Sequence, residues 1–231
     1  MRLLILRFGK KCINKVLKKF NYFSVPLMIG LDKKRQPFVF EHDEMCGEYI
    51  RGSSLELIAH EINDKNIPGN VAELGVYRGY FAKNINKVFP DRKLYLFDTF
   101  EGFDKRDVKI EVERNYSTGE QDFSETSVDL VLSKMENRKN CIIKKGFFPE
   151  TAENINDTFA FVSIDVDLYE PMYKGLHFFY DKLSNGGYIM LHDYNNKYYK
   201  GVKEALRKFS EEKNVPYFPL CDEWGSAIIM K

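Results

Sequence analysis

Val71-Ala72-Glu73-Leu74-Gly75-Val76-Tyr77-Arg78-Gly79 carries an apolar segment into two glycines and then into a helical pattern. The order strand, glycine turn, helix is informative. Glycine lets backbone come close to a ligand, and a helix N-terminus offers unpaired N–H groups. The spacing here is Glu-x-Gly-x-x-x-Gly, not the Gly-x-Gly-x-x-Gly of dinucleotide-binding turns. An acid two residues before the first glycine would repel a pyrophosphate. It suits a ligand with a cationic amino-acid end. The same turn also occurs as plain structure.

Working outward, strands and helices alternate. A helix with Leu55, Ile58, Ala59 and Ile62 on one face is expected from a cap at Ser53 or Ser54 to about Lys65. Ile67-Pro68-Gly69-Asn70 makes a turn into the Val71–Gly75 strand. A helix over Gly79–Phe89, a strand over Lys93–Phe97 and a polar stretch of loops over Thr99–Glu125 follow. Next come a helix over Ser127–Asn137 and strands over Cys141–Lys144 and Phe159–Asp165. Met172, Leu176, Phe179 and Leu183 line a helix ending near Asn185-Gly186-Gly187. Tyr188–Leu191 is a strand, and Val202, Ala205, Leu206 and Phe209 mark a last helix. Tyr217–Leu220 and Ala227–Met230 form a closing hairpin. Such alternation implies an α/β domain with a mostly parallel sheet and helices on both faces. Ligands in such sheets bind at the carboxyl ends of the strands.

Composition narrows the function classes. The 231 residues fit one domain, 49–231, with an appendage over 1–48. Lys plus Arg (35) nearly equals Asp plus Glu (34), which argues against a general nucleic-acid binder. Cys12, Cys46, Cys141 and Cys221 are scattered, so no zinc knuckle or redox pair is expected, and a cytoplasmic protein with reduced thiols is. No apolar run approaches the roughly 20 residues that span a bilayer. The first twenty residues hold seven Lys or Arg and no acid, with Ile13, Val16, Leu17 and Phe20 at helical spacing. That basic amphipathic helix packs on the domain or on a second subunit of a homodimer, or makes weak contact with an anionic membrane surface. Residues 21–48 read as a linker or lid.

Three further motifs sit at strand ends. Leu94-Tyr95-Leu96-Phe97-Asp98 ends in an acid 23 residues after Gly75, where a carboxylate can accept from a ribose diol. With Glu73, this favours S-adenosylmethionine as the ligand. Ser163-Ile164-Asp165-Val166-Asp167-Leu168-Tyr169-Glu170 and Leu191-His192-Asp193-Tyr194-Asn195-Asn196 both leave strands. Adjacent strand ends would bring Asp165, Asp167, His192 and Asp193 together. Oxygen ligands with one imidazole suit a divalent cation that steadies a forming alkoxide, and a free carboxylate can serve as general base. A polar, metal-free cleft is the alternative.

With these motifs the sequence resembles the macrocin O-methyltransferase family, sugar O-methyltransferases of macrolide and novobiocin-type pathways. The resemblance lies in residues 67–79, Phe97-Asp98-Thr99-Phe100-Glu101-Gly102-Phe103, Gly146-Phe147-Phe148-Pro149-Glu150-Thr151, Ile164-Asp165-Val166-Asp167-Leu168-Tyr169-Glu170-Pro171 and His192-Asp193-Tyr194. Together these reach over residues 50 to 212. The resemblance implies a Rossmann-like class I methyltransferase fold with a seven-stranded sheet. It implies S-adenosylmethionine as cofactor, with Glu73, Gly75, Tyr77 and Gly79 at the methionine end. Asp98 and Thr99 would meet the ribose, Gly146 and Phe147 the adenine, and Asp165 would complete the cofactor site. Magnesium would be held by Asp165, His192 and Asp193, with Asp167 as base. His192 stands where metal-binding relatives carry Asp. That leaves open a weaker magnesium site, manganese instead, or no metal with His192 as base. The acceptor would be a small molecule, a sugar hydroxyl, with no nucleic acid involved. Tyr116 and Phe123 are candidates to stack on it. A nucleotide-sugar or NAD-linked enzyme, a non-catalytic binding subunit and an N-methyltransferase are the rival readings.

Overall fold

The computed structural model describes residues 49–231, so the expected basic helix and linker over 1–48 lie outside the described residues. Seven strands form one sheet: β1 (Asn70–Leu74), β2 (Leu94–Asp98), β3 (Cys141–Lys145), β4 (Phe159–Ile164), β5 (Leu183–Leu191), β6 (Phe218–Pro219) and β7 (Ala227–Met230). Their order across the sheet is β3-β2-β1-β4-β5-β7-β6. The first five run parallel, and β7 pairs antiparallel with both β5 and β6. The order reverses between β1 and β4, where Leu74 aligns with Ile164. A reversal point of this kind leaves a crevice beyond the strand ends.

Alternation along the strands fills two cores, because successive side chains point to opposite faces. Val71, Leu94, Leu96 and Phe161 face α1 (Tyr49–Asp64), α2 (Tyr80–Val88) and α4 (Val128–Ser133). Ala72, Leu74, Tyr95, Phe97, Val162 and Ile164 face α5 (Tyr169–Lys182) and α6 (Lys200–Lys213). The apolar faces expected of α1 and α6 are buried: Ile62, Val202, Ala205, Leu206 and Phe209 are all fully enclosed. This is the expected α/β architecture, seven-stranded and mostly parallel.

Three local expectations are corrected. α1 begins at Tyr49, a turn before the expected cap, and the Ser54 hydroxyl donates to the Ile50 carbonyl inside the helix. α5 ends at Lys182, and β5 begins at Leu183, ahead of the Gly186-Gly187 pair. The polar stretch after β2 contains a helix, α3 (Lys105–Glu113), capped by the Asp104 carboxylate accepting from Arg106 N–H.

Candidate active site

A cavity of about 800 Å³ opens at the carboxyl ends of β1, β2, β4 and β5. That volume falls within the roughly 300–1,000 Å³ usual for small-molecule sites. Eight of the nine expected cofactor residues line it: Glu73, Gly75, Tyr77, Asp98, Thr99, Gly146, Phe147 and Asp165. Asp167, His192 and Asp193 line it as well. Gly79 does not. It caps α2 in the left-handed conformation, and a Cβ there would meet Val131 at 3.0 Å. Its demand for glycine comes from packing and backbone geometry.

Gly75 answers to a similar constraint. Its φ is +84°, and an added Cβ would lie 1.9 Å from the Asp165 carbonyl oxygen. The glycine allows β1 and β4 to close against each other at their ends. Beyond it, the Asp98 carboxylate accepts from the N–H groups of Val76 and Tyr77 at 2.7 and 2.8 Å and from Phe100 N–H at 2.6 Å. Asp98 thus braces the glycine turn, and a ribose diol would share a carboxylate already committed to backbone. Thr99 donates to the Gly102 carbonyl at 2.6 Å and tightens the next turn.

Glu73 is almost fully enclosed, and its Oε2 has no hydrogen-bond partner. Burial pushes its carboxyl well above the ordinary value, against the pull of Arg51. An orphaned carboxylate oxygen on a cavity wall fits a cationic amine. Glu73, singled out by its spacing, thus stands on the cavity wall with one oxygen unpartnered.

Arg51 is the residue that sequence reasoning missed. Its guanidinium is enclosed in α1, donates to Asp165 at 3.0 Å and to the Ser163 hydroxyl at 3.3 Å, and lies 3.8 Å from the centre of the Phe81 ring. His192 Nδ1 sits 3.1 Å from Asp165 Oδ1 and 2.8 Å from Asp193 Oδ2. Burial raises the Asp165 carboxyl, but His192 and Arg51 outweigh burial and hold it well below the usual carboxylate range. Burial disfavours a charged His192 ring, yet the Asp165 carboxylate keeps it well above the ordinary imidazole value. Asp167 goes the other way. Burial, then the charges of Asp193 and Asp165, push it well up.

Asp165, His192 and Asp193 each offer a ligand atom within 4.8 Å of the others, and they are the grouping of this kind among the described residues. Two carboxylates with an imidazole fit a divalent cation. Nδ1 already lies within hydrogen-bond range of both carboxylates, so a proton and a metal compete for this cluster. The chain turns sharply to present these groups. Asp167 and Asp193 have φ of 58° and 60°, and Tyr77, beyond β1, has 46°. Left-handed non-glycine backbone is costly and tends to collect at functional sites.

The far wall departs from expectation. Phe123 lines the cavity but packs edge-on against Tyr77 and Phe103. Tyr116 lies off the lining, 5.2 Å from Tyr169. The exposed aromatics at the cavity are Tyr198 and Trp224, 57% and 42% accessible, and the enclosed Tyr199 lines it too. The Tyr199 hydroxyl has no partner. An Asn-Asn-Lys-Tyr-Tyr loop and a lone Trp near the C-terminus gave no periodic signal, and only the fold carries them to one place. No described helix is long and apolar enough to cross a membrane.

The chain is similar to proteins already known. Demethyldecarbamoylnovobiocin O-methyltransferase of Streptomyces niveus is 27% identical over 167 residues, covering 62% of this chain and 60% of that protein, less than two thirds of its length. The solved structure of CalS11, a calicheamicin methyltransferase also described as a TDP-rhamnose 3′-O-methyltransferase, matches with a TM-score of 0.61 and 23% identity over 77% of each chain. The O-methyltransferase NovP matches with a TM-score of 0.59 and 22% identity, over 77% of this chain and 79% of that one. At these identities the two structures establish the shared fold. The model of the macrocin O-methyltransferase (TylF) family matches residues 35–224, most of the sequence, and the chain belongs to that family.

Proposed function

We propose that the protein is a cytoplasmic S-adenosylmethionine-dependent O-methyltransferase that methylates a sugar hydroxyl. The observation that carries this reading is the arrangement around one cavity: the orphaned Glu73 Oε2 and Asp98 on one side, Asp167 and Asp193 on the other. Glu73 receives the cofactor's amine, Asp98 adds a ribose hydroxyl to its backbone partners, and Gly146 and Phe147 border the adenine. Support for a sugar acceptor comes from the TDP-rhamnose 3′-O-methyltransferase among the similar structures, and support for O-methylation of a small molecule from the demethyldecarbamoylnovobiocin O-methyltransferase.

Methyl transfer to oxygen needs the acceptor in line with the sulfonium and stripped of its proton. Positioning and exclusion of water supply most of the acceleration. Asp167 takes the proton, with Asp193 orienting the acceptor beside it. His192, bonded to two carboxylates, is the poorer base and serves to hold Asp165 and Asp193. Asp165, His192 and Asp193 would hold a divalent cation, magnesium or manganese, which when bound polarises the acceptor hydroxyl. Trp224 and Tyr198 provide flat apolar surfaces for a sugar ring.

The test has two stages. Isothermal titration with S-adenosylhomocysteine should show 1:1 binding. Labelled methyl from S-adenosylmethionine should then pass to a TDP-linked deoxysugar, faster with magnesium or manganese than with chelator. No binding of S-adenosylhomocysteine by folded protein would refute the cofactor reading. Binding without transfer to any sugar in a panel of nucleotide-linked and free deoxysugars would refute the acceptor class.

A further inference from the structure

Asp107, in the first turn of α3, stands apart from every role assigned above. It is 7% exposed and lines the cavity. Acids at a helix start are common and favourable. A second observation separates this one. Among the described residues no hydrogen bond or ion pair reaches its carboxylate, although two cations are near. Arg106 is bound to Asp104 at 2.9 Å and Glu150 at 2.8 Å, with its guanidinium 3.4 Å over the Phe147 ring. Lys174 pairs with Glu170 at 3.3 Å. Both cations are committed elsewhere, and a nearly enclosed carboxylate is left facing the cavity.

Burial pushes the Asp107 carboxyl up to about 7, with Asp104 and Glu170 adding to the shift and Lys174 and Arg106 opposing it. Such a group gains most from a ligand that brings an N–H donor. The same lining includes the apolar Phe147, Phe148, Leu168 and Pro171, and the Phe147 ring lies 3.4 Å under the guanidinium of Arg106, the residue before Asp107. A carboxylate beside flat apolar surface matches a purine that carries an exocyclic amine.

We infer that Asp107 accepts a hydrogen bond from the 6-amino group of the cofactor's adenine, so that α3 reads the base of the methyl donor. This rests on the cofactor reading above. It makes α3 part of the cofactor site, reached from the connection after β2.

A double-mutant cycle on binding tests it. S-adenosylhomocysteine and its 6-deamino analogue, with hydrogen in place of the amino group, are titrated calorimetrically into wild type, Asp107→Asn and Asp107→Ala. Wild type should lose about tenfold or more in affinity when the amino group is removed. In Asp107→Ala that loss should shrink to twofold or less, and in Asp107→Asn it should be intermediate. Equal losses in all three proteins would overturn the inference while leaving the cofactor reading intact. A purely structural role at the helix start would change thermal stability without changing the preference between the two ligands. Failure of wild type to bind S-adenosylhomocysteine would overturn both.

Discussion

Asp167 holds its carboxylate on left-handed backbone, with Leu168 N–H bonded back to the Val166 carbonyl at 2.5 Å across it. That tight bend turns a residue of the Asp-x-Asp pair out of the strand path and onto the cavity wall. Asp167→Asn keeps the shape and removes the proton acceptor. Turnover should fall about 100-fold or more, the size of a lost general base, with S-adenosylhomocysteine affinity changed less than threefold by calorimetry. Asp107 gives a stability prediction whose sign follows from its raised value. The unfolded carboxyl titrates near 3.8 and the folded one near 7. The folded protein therefore binds more protons between those values and loses stability as pH rises through them. Asp107→Asn lacks this dependence. Urea unfolding without ligand should show the variant more stable than wild type at pH 8. The gap should be smaller by up to about 2 kcal/mol at pH 5. At this scale the acids at strand ends were legible from spacing. Arg51 was not, because its partners Ser163 and Asp165 lie 112 and 114 positions away in sequence.

Among the elements, α3 shows why periodicity fails where function bends the rules. In Lys105–Glu113 the apolar residues Val108, Ile110 and Val112 recur every second position, as in a strand. The inward positions are instead taken by acids, Asp107 toward the cavity and Glu111, fully enclosed, accepting from Tyr169 N–H at 2.9 Å. A helix whose buried face is charged carries no hydrophobic stripe to read. Its start does carry a signal, the Asp104 cap. Asp104→Ala should loosen this helix by about 1 kcal/mol. Hydrogen exchange over 105–113 should speed up several-fold while the global unfolding midpoint moves little. The apolar faces of α1 and α6, by contrast, were readable from their spacing. Their cores depend on dispersion and area, which follow the 3.6-residue period directly.

Across the whole molecule, the sheet reverses between β1 and β4, and Gly75 closes that seam. A methyl group at Gly75 would strike the Asp165 carbonyl at 1.9 Å, and backbone on both sides cannot yield cheaply. Gly75→Ala should cost roughly 3 kcal/mol in unfolding free energy. Because the seam also sets the distance between Glu73 and Asp165, S-adenosylhomocysteine affinity should fall with it, measured on protein shown to be folded by circular dichroism. By itself the sequence determined the alternation of strands and helices, the two-faced sheet and the strand-end acids. Those depend on periodicity and on local turn chemistry, which neighbouring residues specify. Only the tertiary structure decided that Arg51 braces Asp165, that Asp98 first serves the glycine turn, and that Tyr198 and Trp224 rather than Tyr116 line the cavity. Those outcomes depend on which distant segments are brought into contact. Burial then changes the energy of each polar group in ways no local pattern records.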